Sequence, residues 1–492
     1  MMAAFMRKAA IIRLIVLFLG LFSLTMIFPL ALALAEGDRG MARAFALSMG
    51  GGLAAVPVLL FTKKPRSGFN FNACEGILLV AAAWIAGCLL GALPYYLSGY
   101  MPRFSDALFE SVSGFTTTGA SVIPDVEILP RSFHLWRGMS HWLGGMGIVV
   151  LTVALVPMLG VGGFALLKAE TTGPMKDKFT PRVTGTAKIL WLIYCGFTVI
   201  LALLFWAGGM NFFEALIHAF STMGTGGFST RNGSIASFAS PFIDWVCAVF
   251  MVIAGFNFTL IYRLLQGKFR EVLVNSEARA YALILPVSAG IAAISLMLRN
   301  TSPGKALRLA FFDAASILTT TGFLIDDHNL WPPLAQGAVF ILMFIGACSG
   351  STSGGIKIIR YVILAKQMKN ELLRTMYPSG LFSVQLDRKP GRKDVVYSAA
   401  GFICIYFALL FAGTALAASA GIDLYTAVNA SLITLGNIGL GFGRLVSGAV
   451  FYEAPGYVRW GFSLLMILGR LELYTVLLLF TPSFWKQIRG SV

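Results

Sequence analysis

Four short runs rich in threonine and glycine carry the chemistry for which this sequence is best equipped: Phe115–Ser121, Met223–Ser229, Leu318–Leu324 and Leu435–Gly441. Aligned on Gly119, Gly227, Gly322 and Gly439, each has an alanine twelve residues upstream, at Ala107, Ala215, Ala310 and Ala427. Two places before each glycine stands a polar residue, Thr117, Thr225, Thr320 or Asn437. Ser113, Ser221 and Ser316 fill one further column, which fails at Ile433. Glycine and alanine are common in apolar helices, but four ungapped matches in several columns point to an internal repeat. Such runs suit the dehydration of a small cation. Rings of backbone carbonyls can replace its water oxygens, glycine permits the backbone angles that aim those carbonyls together, and threonine adds a hydroxyl oxygen. The candidate ion ligands are Thr117, Thr118 and Gly119; Thr225, Gly226 and Gly227; Thr320, Thr321 and Gly322; and Asn437, Ile438 and Gly439. One run cannot encircle an ion, whereas four can.

The elements that position these runs follow from hydropathy. Only 12% of the 492 residues are charged and 57% are hydrophobic, against roughly 25% charged in a soluble domain. Apolar blocks such as Ile11–Leu34, Gly76–Leu97, Ile189–Ala207, Phe242–Ile261, Val395–Ala418 and Gly461–Phe480 reach the length of about 20 residues that a membrane helix needs. The stretches just before the glycine-rich runs, such as Ser105–Gly114 and Phe212–Ser221, are too short to cross and read as re-entrant half-helices. A half-helix ending at a run adds its negative C-terminal pole, about 0.3–1 kcal/mol in surface settings. The predicted fold is an all-α polytopic membrane protein: two leading helices (residues 1–70), then four helix–half-helix–helix repeats over 71–167, 168–272, 273–385 and 386–492. That arrangement makes ten crossings.

The formal charge of +16 raises the question of nucleic acid, which the location of the bases answers. They cluster in alternate connections, Lys63–Arg66, Lys168–Lys188, Arg263–Arg279 and Lys357–Lys393, while intervening connections carry Asp125, Glu127, Asp326 and Asp327. This is the positive-inside pattern, which places the basic loops and N-terminus in the cytoplasm and predicts no nucleic-acid partner. Six scattered cysteines show neither metal spacing nor a disulfide framework. The apolar run from Ile11 exceeds the usual signal-peptide core and reads as a retained span.

Two further features break the apolar pattern. Gly346, Gly350, Gly354 and Gly355, interleaved with Ser349, Ser351, Thr352 and Ser353, weaken the helix inside an apolar block and predict an unwound segment. Arg470 lies within Phe462–Phe480, where a central arginine costs at least about 2.5–3.5 kcal/mol; it either faces an internal cavity with a partner there or forms a structural ion pair, for which Glu472, two residues on, does not share its helix face. The acids in or near the half-helices, Asp106, Glu110, Glu214, Asp313 and Asp423, either concentrate cations or bond backbone amides and nearby bases. His134, His141, His218 and His328 are dispersed and read as packing or interfacial residues.

Several segments carry a family resemblance: His141–Gly163, Lys168–Pro174, Lys176–Arg182, Ile345–Arg360 and Gly469–Trp485. On these the chain resembles the Trk/Ktr/HKT potassium transporters, most closely the bacterial TrkH/TrkG type, over nearly its whole length. The resemblance implies a pseudo-fourfold pore in the inner membrane whose potassium filter is built by the four runs. Gly119 favours potassium, since serine there accompanies sodium transport in some relatives. Leu440 departs from the family's Asn-x-Gly-Pro-Gly pattern at the proline position. The resemblance also implies that the Gly346–Gly355 segment is an intramembrane gate, and that Arg470 is an electrostatic barrier beneath the filter. Lys357 either shares in that gate or anchors its helix at the interface. A homodimer and a cytoplasmic nucleotide-binding regulatory subunit of the TrkA type are implied as partners. The basic loops Arg263–Arg279 and Lys366–Lys393 would serve as docking surfaces, or would bind anionic membrane lipids. No enzyme is expected, and no organic cofactor: zinc-protease and phosphate-loop motifs are missing, and Gly160–Ala165 fits a dinucleotide pattern only formally. A sodium-selective or ion-coupled transporter of the same architecture is the alternative.

Overall fold

The computed structural model describes residues 2–57, 59, 72–147, 183–380, 382–387, 389–390, 393–443 and 449–490. The runs Lys168–Pro174 and Lys176–Arg182, the stretch Gly160–Ala165, and the repeat borders near residues 70 and 167 lie outside the described residues.

Among those residues, five helices are long and apolar enough to cross a membrane: Ala9–Ala35, Cys74–Leu97, Lys188–Ala207, Ser276–Met297 and Val395–Ala418. Two bent helix pairs bring the number to as many as seven. The chain is a multi-pass membrane protein, and its outer surface supports this independently. Only 28% of the most apolar stretch of Lys188–Ala207 and 22% of that of Val395–Ala418 is buried. Residues such as Leu192, Val199 and Phe411 face outward, an arrangement that lipid accepts and water penalises.

Local sequence explains where the helices begin and bend. Asn72 and Glu75 form a reciprocal cap, the Asn72 side chain accepting from Glu75 N at 2.7 Å and Glu75 accepting from Asn72 N at 2.8 Å. Two blocks expected to run straight do not. Phe242–Ile261 is divided into Pro241–Gly255 and Phe258–Leu265, bent by 101°, because the Asn257 side chain caps the second helix at Thr259 N and Leu260 N. Gly461–Phe480 bends by 119° between Gly456–Arg470 and Leu473–Phe480, at Glu472, whose φ is +55°.

Between long helices lie four shorter ones, Phe104–Phe115, Phe212–Gly224, Pro303–Leu318 and Leu424–Leu435. At about 1.5 Å per residue none matches a hydrocarbon core of about 30 Å. Two of their N-terminal ends are capped, by Asn211 on Glu214 N at 2.9 Å and Asp423 on Thr426 N at 3.0 Å, and Pro303 opens the first turn of a third. A two-stranded antiparallel pair, Gln385–Leu386 with Lys389–Pro390, is the sheet among the described residues.

Candidate functional site

All four short helices end in the same way. The amide one place before the glycine bonds back five residues: Thr118 N to Ser113 O, Gly226 N to Ser221 O and Thr321 N to Ser316 O at 2.8 Å, and Ile438 N to Ile433 O at 2.9 Å. Between donor and acceptor, Thr117, Thr225, Thr320 and Asn437 take left-handed φ values of 53°, 54°, 55° and 53°. This is a Schellman-type helix end. Three of its four pivots are threonine, a β-branched residue that opposes positive φ; holding it there costs on the order of 1–3 kcal/mol and requires the surroundings to enforce it. The backbone bond survives in the fourth repeat, where the serine column is lost, because it uses carbonyls and not hydroxyls.

The following glycines close a ring. Gly119, Gly227, Gly322 and Gly439 have φ of 81°, 80°, 79° and 78°. A Cβ on Gly119 would strike the carbonyl oxygen of Gly226, one on Gly227 that of Thr321, one on Gly322 that of Ile438, and one on Gly439 that of Thr118. Each loop therefore packs its glycine against the carbonyl of the next, and the fourth returns to the first. The connections beyond the loops follow the same order. Val126 N bonds Asn232 Oδ1 at 2.9 Å, Ala236 N bonds Leu324 O at 3.0 Å, and Gly443 N bonds Asn329 Oδ1 at 2.7 Å. Arg459 closes the circle on Asp106 at 3.1 Å. On the exposed rim, the Asn232 amide and the Glu127 N–H hold Asp125 below the usual carboxylate range.

The acids near the half-helices are engaged within the protein. Asp106 meets Arg103 and Arg459, Glu214 meets Arg231 at 2.7 Å, Asp313 meets His328, and Asp423 caps its helix. Glu110 is fully buried with Arg137, Nε to Oε1 at 2.8 Å, and also accepts from Val122 N. The Arg137 guanidinium lies 4.0 Å from the Phe228 ring and donates to Ser229 O, spanning the first and second loops.

The predicted unwound segment is present between Pro333–Leu342 and Ile358–Met376. Its edges zip together through Gly346 N to Ile356 O at 2.9 Å and Ile358 N to Ala347 O at 3.2 Å, pinching off the residues between. Lys357 is buried, and its ammonium donates to the carbonyl and hydroxyl of Ser353. The pinched turn touches the ends of three half-helices. The Thr352 hydroxyl donates to Met223 O at 3.1 Å, Gly354 N donates to Thr320 Oγ1 at 2.7 Å, and Gly354 packs on Gly436 and Asn437. Gly350 lies against the Asn257 side chain. Arg470 grips the same turn: its guanidinium donates to Thr352 O at 2.6 Å and to Gly144 O and Gly145 O at 2.5 and 3.1 Å. Glu472, two residues on, takes Arg360 at 2.7 Å.

The sequence reading missed residues that support these groups. Glu277 accepts from Ser349 N and Oγ at 2.7 and 2.6 Å and from Ile359 N at 3.3 Å, fastening both sides of the unwound turn. An acid in the first turn of a membrane span was its available signal. His141 bonds Ser221 at 3.1 Å and stacks on Phe228 at 4.1 Å; a Cβ on Gly226 would enter its ring. Nothing in the spacing of His141 announced that contact.

Comparison with known proteins identifies the family and the general fold. Residues 44–487 match the family described as TrkH, cation transport protein. The chain is 39% identical over 481 residues to the Trk system potassium uptake protein TrkH of Halomonas elongata, covering 97% of this chain and 99% of that protein. It is 38% identical over 489 residues to the Escherichia coli K12 protein of the same name, covering 98% and 100%. The crystal structure of the potassium transporter TrkH from Vibrio parahaemolyticus superposes with a TM-score of 0.85 at 33% identity, covering 97% of this chain and 99% of that one. Matching over nearly its full length, the chain belongs to the TrkH family of cation transport proteins, which are transporters and not enzymes.

Proposed function

We propose that this chain takes up potassium across a bacterial inner membrane, with the four glycine-rich loops forming one selectivity filter at the axis of four helix–half-helix–helix repeats. The observation that carries the reading is the cycle in which each loop glycine abuts the next loop's carbonyl. It is the packing a ring of inward-aimed carbonyls requires. The TrkH relatives, named as potassium uptake proteins, support potassium as the cargo. Thr117 to Gly119, Thr225 to Gly227, Thr320 to Gly322 and Asn437 to Gly439 would present their oxygens to the ion. The turn held by Gly346, Gly350, Gly354, Gly355 and Lys357 acts as the gate, and Arg470 both latches it and places positive charge in the cation path.

The protein works as a homodimer with its N-terminus cytoplasmic, coupled to a cytoplasmic nucleotide-binding subunit of the TrkA type. The two basic loops support such docking because the fold joins them: Asp387 accepts from Ser276 N at 2.7 Å, and Lys366 donates to Ser276 Oγ at 3.3 Å. Exposed Leu265, Phe269 and Leu273 lie alongside. Uptake of rubidium into vesicles holding the full chain, with potassium and sodium as competitors, tests the reading. Potassium should displace rubidium and sodium should not; equal displacement would favour the sodium-accepting alternative.

A further inference from the structure

Nine residues before the loop glycine, the half-helices carry Glu110, His218, Asp313 and Ala430. In the first two repeats this side chain braces the residue two places beyond the glycine. Glu110 accepts from the Ser121 hydroxyl at 3.0 Å, and His218 Nε2 pairs with the Ser229 hydroxyl at 2.9 Å. In the third, the neighbouring unit supplies the brace: Leu324 N donates to Ser234 Oγ at 3.2 Å, and Ala236 N donates to Leu324 O at 3.0 Å. Ala430 of the fourth repeat has no side chain that could reach Gly441. There, His328 arrives from the connection after the third loop. Its Nε2 lies 3.3 Å from the Gly441 carbonyl oxygen, and its Nδ1 lies 3.4 Å from Asp313 Oδ1. The ring is fully buried against Phe442, with centroids 4.5 Å apart.

Both partners of His328 are oxygens that accept, a backbone carbonyl and a carboxylate, whereas a neutral imidazole offers one donor. The arrangement closes only when Asp313 and His328 together hold a second proton. Burial opposes the imidazolium, but Asp313, the Gly441 carbonyl and Asp327 outweigh it and keep His328 above its ordinary value.

We propose that His328, oriented by Asp313, is a positioning residue for selectivity: it fixes the Gly441 carbonyl and so the path of the fourth loop, in a repeat that, like the third, lacks a brace of its own and that has Leu440 where the family pattern has proline. The proposal rests on the fourth loop belonging to the filter.

The test measures potassium-over-sodium discrimination by rubidium uptake into vesicles containing the full chain, at matched protein abundance. His328→Phe keeps an aromatic ring against Phe442 but has no donor. It should lower discrimination about fivefold, the scale of one lost hydrogen bond, and should raise the apparent KM for rubidium more than it lowers the maximal rate. Asp313→Ala should do the same. Asp313→Asn should stay within about twofold of the parent, because its amide can donate to Nδ1 of a neutral imidazole and leave Nε2–H for Gly441. Parental discrimination in both His328→Phe and Asp313→Ala overturns the proposal, and so does equal damage in Asp313→Asn and Asp313→Ala. Should His328→Phe fail to accumulate, His328→Gln takes its place. Its amide can still donate to Gly441, so retained discrimination supports the role and loss equal to that of Asp313→Ala overturns it. A parent chain that discriminates between neither ion overturns the filter reading itself.

Discussion

The Thr320 hydroxyl accepts the backbone N–H of Gly354 at 2.7 Å, tying the third glycine-rich loop directly to the unwound turn. Thr320 also holds the left-handed pivot at the end of its half-helix. One residue thus shapes the candidate filter and restrains the candidate gate. Thr320→Val keeps the shape and removes the acceptor. A single hydrogen bond contributes about 0.5–1.5 kcal/mol, so the open fraction should rise about two- to tenfold. Rubidium efflux from vesicles reads this directly, and an unchanged rate would dissociate the two elements.

Arg470 makes its three backbone contacts with a planar fork that lysine does not reproduce. Arg470→Ala should raise flux by removing both the latch and the positive charge. Arg470→Lys, keeping charge alone, should fall between. If the lysine variant matched alanine, the latch would account for the whole effect; flux equal to the parent in both would remove Arg470 from gating.

The glycine cycle predicts equivalence among distant positions. Alanine at Gly119, Gly227, Gly322 or Gly439 meets a neighbouring carbonyl in every case and sits at positive φ in every case. Each single substitution should therefore reduce potassium-over-sodium discrimination by a similar factor. A fourth-loop variant with parental selectivity, measured by competitive rubidium uptake, would exclude that loop from the ring.

Glu110 and Arg137 test stability separately from transport. Both are buried, with side-chain exposures of 0% and 3%, and breaking such a pair costs about 3–5 kcal/mol because a charge is left alone. Glu110→Gln and Arg137→Met should each lower the thermal unfolding midpoint in detergent. The double replacement Glu110→Gln with Arg137→Met should lose less than the two singles combined. Strict additivity would mean that the two side chains act independently.

Membrane character, the four-copy repeat and the residues at each glycine-rich run were legible in the sequence because they are local or periodic. Hydropathy is a property of consecutive residues, and a repeat places like residues at like intervals. The broken span at Gly346–Gly355 was legible for the same reason, since glycine and serine crowd into one apolar block. Straightness was not. Asn257 and the backbone turn at Glu472 bend two spans that composition left continuous. Nor could threonine at Thr117, Thr225 and Thr320 have been assigned a left-handed backbone, which its own preference opposes and which only neighbouring chain enforces. The partners of Glu277, Arg137 and His328 were equally hidden, because pairing between side chains and groups fifteen or more residues away depends on which segments the fold brings side by side. Sequence determined what each segment could contribute. Packing of four loops against one another, each glycine on its neighbour's carbonyl, decided how those contributions meet, because contact between remote segments is a property of the closed ring and not of any one of its parts.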